Sequence, residues 1–208
     1  MIYLLENTDS LGEDFISSAI DGLSLQRLKR LDTLRIESDK INCAAVYLML
    51  RYALKAEYGI TEAQDFIFGK NGKPYLKDKN GIFFSMSHCR NACACVVADK
   101  ETAADIADLR RISDRTAKYF CTDEELRIAN ESENKDEELV RLWAMKECYS
   151  KLDGSGLHLN YKEIGDKETS DLRIIRGERY YAAFCTDSKE EPVYLTPEKI
   201  LNYNFSAR

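Results

Sequence analysis

The chain carries a net charge of −6 over 208 residues, with 44% hydrophobic and 32% charged side chains. That balance excludes a disordered or fibrous chain and suffices for one large domain or two small ones. It argues against a broad nucleic-acid surface, which would be basic, and no apolar run reaches the roughly 18–20 residues of a membrane span.

The opening MIYLLENTDS has no basic n-region and no small-residue cleavage site. No signal peptide is therefore expected, and a cytoplasmic location with reduced thiols is the default for the seven cysteines. QRLKR, at 26–30, reads first as the basic side of a helix. SDKINCAAVYLMLRYALKAEYG, at 38–59, predicts a helix with Ser38 as N-cap and Gly59 as stop. Within it Ile41, Ala44, Ala45, Leu48 and Tyr52 recur at helical spacing. NGKP, at 71–74, is a turn that carries Lys73.

IFFSMSH and ACACVVADK predict two strands joined by the polar turn HCRN. Ser87 and His88 close the first strand and by themselves are turn residues. Cys89, Cys93 and Cys95 cluster near His88, but there is no CxxC pair and no second cluster at zinc-like spacing. Cys93 and Cys95 share one strand face as small hydrophobes, so no structural zinc is expected.

TAADIAD, at 102–108, predicts a third strand. Asp105 sits in it among small and apolar residues, and a core carboxylate without a partner is costly. ISDRTAKYF predicts a helix. With Arg110, Arg111, Arg115 and Lys118 beside Tyr119 and Phe120, it reads by itself as a solvated amphipathic face. TDEE, at 122–125, is a capping box. DEELVRLWAMKECYSKLDG predicts a long helix whose Leu139, Leu142, Met145, Tyr149 and Leu152 form an apolar arc. Trp143, Glu147 and Lys151 form a separate stripe. Alone, Glu147 and Lys151 would be a surface ion pair worth about 0.3–0.5 kcal/mol. Lys146 falls inside the apolar arc, where it either snorkels along the core edge or reaches an anion in a cleft. DLRIIRGERYYAAFCTD predicts a hairpin turning at Gly177, and PVYLTP one more strand. The mixture is α+β, and the change of texture suggests two parts, 1–100 and 101–208.

In order, the sequence presents a basic helix, GKP, SH at a strand end, a strand aspartate and W-x-x-K-E-x-x-x-K. This combination resembles the 4′-phosphopantetheinyl transferases, specifically the larger monomeric type that acts on peptide and polyketide synthetases. The family signatures, G-x-D and W-[ST]-x-K-E-[AS]-x-x-K, appear here as AADIAD and WAMKECYSK. The resemblance covers most of the chain and includes SMSH and AKYFCTDEE.

The resemblance implies two similar α+β subdomains in a pseudo-twofold arrangement. It implies Mg²⁺ held by Asp105 and Glu147, and coenzyme A as co-substrate. Arg27 and Arg30 align with residues that grip its 3′-phosphate, in one of several registers. Lys73 would lie by the nucleotide, and Ser87 and His88 on phosphates, with Lys146 and Lys151 assisting. Glu147 would be the general base and Lys151 would stabilise the leaving group, as the phosphopantetheine arm passes to a serine of an acyl or peptidyl carrier protein. That carrier would meet Arg110, Arg111, Arg115, Lys118, Tyr119 and Phe120. A monomer that binds neither nucleic acid nor membrane is expected.

Two departures from the pattern matter. Ala103 replaces the glycine of G-x-D. Ala107 stands where many members have a third acid, and Asp108, one residue on, faces the other side of a regular strand, so only a bulge could bring it in. Ala107 thus favours an alternative, a non-catalytic coenzyme A or nucleotide binder acting as an interaction protein.

Overall fold

The computed structural model of the chain describes residues 1–154, 160–164 and 171–202. In chain order these form β1 (Ile2–Glu6), α1 (Glu13–Ala19), α2 (Leu25–Thr33), α3 (Glu37–Tyr58), β2 (Phe66–Phe68), β3 (Pro74–Leu76), β4 (Phe83–His88) and β5 (Ala92–Ala98). There follow β6 (Ala103–Asp108), α4 (Asp114–Phe120), α5 (Asp123–Glu131), α6 (Lys135–Asp153), β7 (Leu172–Arg176), β8 (Tyr180–Cys185), β9 (Val193–Leu195) and α7 (Pro197–Leu201). The class is α+β, as expected. No helix among the described residues is long and apolar enough to cross a membrane.

The strands make a four-stranded sheet ordered β4-β5-β1-β9, a β2-β3 ribbon, and a three-stranded sheet ordered β6-β8-β7. Period-two alternation decides how they stack. In β5, Cys93, Cys95 and Val97 face α3 together with Tyr3 and Leu5 of β1. The alternate residues Ala92, Ala94 and Val96, with Ile2 and Leu4, face the second sheet and meet Ala104, Ile106, Ala182 and Phe184. The far side of that second sheet presents Ala103, Ala183 and Cys185 to Ala144 and Cys148 of α6. The layers therefore run helix, sheet, sheet, helix. The small residues between α6 and β6 let the two backbones approach closely, which matters for the site below.

The long helices end on left-handed glycines, α3 at Gly59 with φ 68° and α6 at Gly154 with φ 70°. The Thr122–Glu125 capping box is formed. Ser38 is not an N-cap, because α3 starts one residue earlier at Glu37, with Ile36 at the cap position. Glu37 and Asp39 in that first turn complement the helix dipole instead.

The sequence reading assigns no strand to residues 2–6, yet β1 lies inside the first sheet between β5 and β9. Its Ile2–Leu5 run is buried on both faces, so it carries no alternation to read. The chain returns to this sheet at its other end. β9 pairs parallel with β1, and Ile200 of α7 enters the core beneath α3.

Candidate active site

Asp105 is buried in β6, and its partners come from two other elements. Its Oδ1 accepts a hydrogen bond from Ser87 Oγ of β4 at 2.9 Å and one from Lys151 Nζ of α6 at 2.7 Å. Lys151 Nζ also donates to Ser87 Oγ at 2.9 Å and to the Ala104 carbonyl at 3.1 Å. The ammonium thus uses its protons on one compact cluster, which neutralises the core carboxylate. The ion pair of Lys151 is with Asp105 across the layer, and not with Glu147 one turn back.

Glu147 is half-buried on the same stripe of α6. The Tyr161 hydroxyl donates a hydrogen bond to its Oε1. Burial raises the pKa of Glu147 above the ordinary carboxylate range. The Tyr161 bond lowers it, the Asp105 charge raises it and the Lys151 charge lowers it, in that order of size, with the net shift upward. Two carboxylates that repel each other beside a single ammonium make a site that favours an added cation.

No group of three or more His, Cys, Asp or Glu suited to a metal occurs among the described residues. Mg²⁺ does not need one, since it commonly takes one or two carboxylates plus phosphate oxygens and water. Asp105 and Glu147 are hard oxygen donors of that kind. Both hydrogen bonds to the Asp105 carboxylate fall on Oδ1. This donor set fits Mg²⁺ shared with a phosphate ligand.

Beside the cluster opens a cleft of about 240 Å³. Gly72, Lys73 and Pro74 form one wall, Ser85 and Met86 of β4 another, and Lys151 the end next to Asp105. Lys73 Nζ is tied to Glu101 Oε2 at 2.5 Å and to the Leu152 carbonyl at 3.0 Å. It thereby fastens the GKP turn to the C-terminus of α6.

A strand aspartate, a lysine from K-E-x-x-x-K and a cleft walled by GKP thus lie side by side. The family model for the 4′-phosphopantetheinyl transferase superfamily matches residues 98–203, more than half of the chain. The chain belongs to this superfamily. It is 31% identical over 142 residues to the L-aminoadipate-semialdehyde dehydrogenase-phosphopantetheinyl transferase of Candida glabrata, covering 62% of this chain and 54% of that protein. It is 29% identical over 108 residues to the 4′-phosphopantetheinyl transferase psf-1 of Bacillus pumilus, covering 51% and 44%. With the transferase Sfp of Bacillus subtilis it shares 26% over 115 residues, covering 54% and 51%. The chain spans about half the length of the curated relatives it matches.

In this superfamily member the expected site residues other than Lys146 separate into three groups. Asp105, Ser87, Lys151, Glu147 and Lys73 are gathered around the cluster and its cleft. Arg27 and His88 lie at its margin. Arg27 stacks on Tyr47 at 5.0 Å and reaches Met86 Sδ at 4.0 Å. His88 ends β4, where the charges of Lys151, Asp39, Arg27 and Asp105 all act on its ring. Arg30 stands apart, exposed on α2 and bonded to Thr33 Oγ1 at 3.4 Å.

Two expectations are corrected. Lys146 reaches no anion in a cleft. It is fully buried, and Nζ donates to the Phe120 carbonyl at 2.9 Å, Glu125 Oε2 at 2.7 Å and the Tyr161 carbonyl at 3.0 Å. Its position inside the apolar arc of α6 turns it toward α5, whose capping glutamate supplies the counter-charge. Phe120 is no surface contact. It is fully buried against Trp143, with ring centroids 5.1 Å apart, because α4 is amphipathic and Phe120 follows Ala117 on its inner face. Arg110, Arg111, Arg115, Lys118 and Tyr119 are exposed.

The β6–β8 register runs unbroken from Ala103↔Cys185 to Asp108↔Tyr180, so β6 has no bulge. Asp108 faces away from Asp105 and accepts hydrogen bonds from the Arg90 amide at 3.0 Å and Asn91 Nδ2 at 2.5 Å. Ala107 shares the Asp105 face and packs toward α6. Sequence reading missed Tyr161. It belongs to no periodic element, and its only signal is an aromatic residue a short way beyond the K-E-x-x-x-K helix.

Proposed function

We propose that this chain transfers the phosphopantetheine arm of coenzyme A to a serine of an acyl or peptidyl carrier protein, with Mg²⁺, and releases 3′,5′-ADP. The observation that carries the proposal is Lys151 joined to Asp105 and Ser87 at the end of a cleft, with Glu147 on the same helix stripe. The relatives' names, which describe phosphopantetheinyl transferases, support the same reaction.

In this reaction the serine oxygen bonds to the phosphorus next to the pantetheine arm, and the P–O bond to the nucleotide phosphate breaks. Catalysis then depends on positioning and on neutralising charge. Asp105 and Glu147 would hold Mg²⁺, which supplies positive charge to the pyrophosphate when bound. Lys151 stabilises the charge that develops on the departing nucleotide phosphate. Glu147 accepts the serine proton, directly or through water. Ser87 keeps Lys151 and Asp105 in register. Lys73 lies on the GKP wall and would meet the nucleotide portion, Arg27 and His88 would reach phosphates from the margin, and Arg30, apart on α2, would meet the 3′-phosphate only where the nucleotide extends beyond the cleft. The exposed cations of 110–118 with Tyr119 suit the acidic helical surface of a carrier protein.

A second reading, a coenzyme A or nucleotide binder without catalysis, is favoured by Ala107. Incubating the protein with an apo carrier protein, coenzyme A and Mg²⁺ and weighing the carrier by mass spectrometry separates them. Transfer adds one phosphopantetheine group. A carrier of unchanged mass, from a protein that coenzyme A still stabilises thermally, would establish the binder.

A further inference from the structure

A glutamate side chain has three torsions, so a carboxylate that serves a cation and a nucleophile needs a fixed orientation. Here the Tyr161 hydroxyl donates to Glu147 Oε1. Tyr161 is itself held on several sides. It is 2% exposed. Its ring centroid lies 5.4 Å from that of Trp143, one turn before Glu147 on α6, and 5.8 Å from that of Tyr119 on α4. Its backbone carbonyl accepts a hydrogen bond from Lys146 Nζ at 3.0 Å.

That last contact gives the buried lysine a purpose. An ammonium has three protons, and those of Lys146 go to the C-terminal end of α4, the first turn of α5 and the Tyr161 backbone. Burying such a group is costly unless its protons find partners, as those of Lys146 do here. One of those partners is the Tyr161 backbone, which Lys146 thereby ties to α6. Lys146 and Glu147 are adjacent in sequence and meet the two ends of Tyr161, one holding its carbonyl and the other receiving its hydroxyl.

We infer that Tyr161 is a positioning residue for Glu147, anchored by Lys146 and Trp143, and that it sets how tightly the site holds a divalent cation. The inference rests on the proposed transferase function. A hydrogen-bonded partner behind a metal-binding carboxylate typically accounts for a 10–100-fold difference in metal affinity.

The test is Tyr161→Phe, which removes the hydroxyl and keeps the ring against Trp143. Calorimetric titration of Mg²⁺ in the presence of coenzyme A should give a Kd raised about tenfold or more over wild type. The Mg²⁺ concentration for half-maximal carrier loading should rise in step, while KM for the carrier protein stays within about twofold. A purely structural tyrosine would change melting temperature and leave the Mg²⁺ affinity alone. A Tyr161→Phe protein with wild-type Mg²⁺ affinity, alongside a wild type that binds Mg²⁺ and loads carriers, overturns this inference and leaves the proposed function standing. A wild type that neither binds Mg²⁺ nor loads a carrier overturns both.

Discussion

Lys151 Nζ, in the last turns of α6, lies 2.7 Å from Asp105 Oδ1 in the middle of β6. The contact crosses from one layer to the next and turns an orphan core carboxylate into half of an ion pair. Lys151→Ala should therefore do two things. It leaves Asp105 with Ser87 alone, and an under-satisfied buried acceptor costs about 1–3 kcal/mol, measurable by urea unfolding. It should also lower carrier loading about 10²–10³-fold, the scale of losing one positioned charge or donor in a transition state. Native loading kinetics in this variant would remove Lys151 from the mechanism.

The face of β6 supplies a second prediction. Ala107 shares the Asp105 side and Asp108 does not. Ala107→Glu should lower the Mg²⁺ concentration needed for half-maximal loading, and Asp105→Ala should abolish loading. Asp108→Ala should load carriers at the wild-type rate but unfold more easily, because the Arg90 amide and Asn91 lose their acceptor. Loading curves against Mg²⁺ for the three variants decide the matter. Equal damage from Asp108→Ala and Asp105→Ala would contradict the placement of these side chains.

The buried pair of Lys146 with Glu125 should behave asymmetrically. Lys146→Met strands the Glu125 carboxylate, both groups being almost fully buried, and should destabilise the protein by about 3–5 kcal/mol. Adding Glu125→Gln should recover part of that loss, since the stranded charge disappears. A double-mutant cycle followed by denaturant unfolding measures it. Strictly additive losses would show that the two side chains do not act as a pair.

On α4 the inner and outer faces should separate cleanly. Phe120→Ala should cost about 3–5 kcal/mol of stability by opening a cavity against Trp143. Arg115→Glu, on the exposed face, should leave the melting temperature within a degree or two and raise KM for an acidic carrier several-fold. Carrier kinetics indifferent to Arg115→Glu at low salt would exclude this face from docking.

Stability at alkaline pH follows from the thiols. Burial pushes the Cys89, Cys95 and Cys121 thiols up to about 12. Unfolded cysteines ionise near about 8.5. The folded state keeps protons that the unfolded state sheds, so this contribution is whole below about pH 8.5 and is lost as pH rises toward 12. The melting temperature should fall over that range, and the native thiols should alkylate slowly at pH 8. Rapid labelling of Cys95 by iodoacetamide in the native protein would contradict the burial.

Much of the site was legible in the sequence. The i, i+4, i+8 spacing places Trp143, Glu147 and Lys151 on one stripe of a helix whatever surrounds it. Asp105, among alanines and an isoleucine in a short alternating run, marks a strand carboxylate in need of a cation. The left-handed stops at Gly59 and Gly154, the capping box at Thr122 and the turn at NGKP are local chemistry and can be read locally.

Only the tertiary structure decided which partners those side chains meet. A helical stripe has a direction but no target until Ala144 and Cys148 settle on Ala103 and Ala183 and bring Lys151 within reach of β6. Lys146 has the same composition of neighbours whether it snorkels or is buried. Its fate was settled by the docking of α5, which offers the Glu125 carboxylate 21 residues away in sequence. Tyr161 and β1 left no periodic trace, one because it sits outside regular structure and the other because both its faces are covered. Local pattern encodes the orientation of a side chain within its own element, and contacts between elements distant in sequence decide which charge is paired, which is buried and which is left to do chemistry.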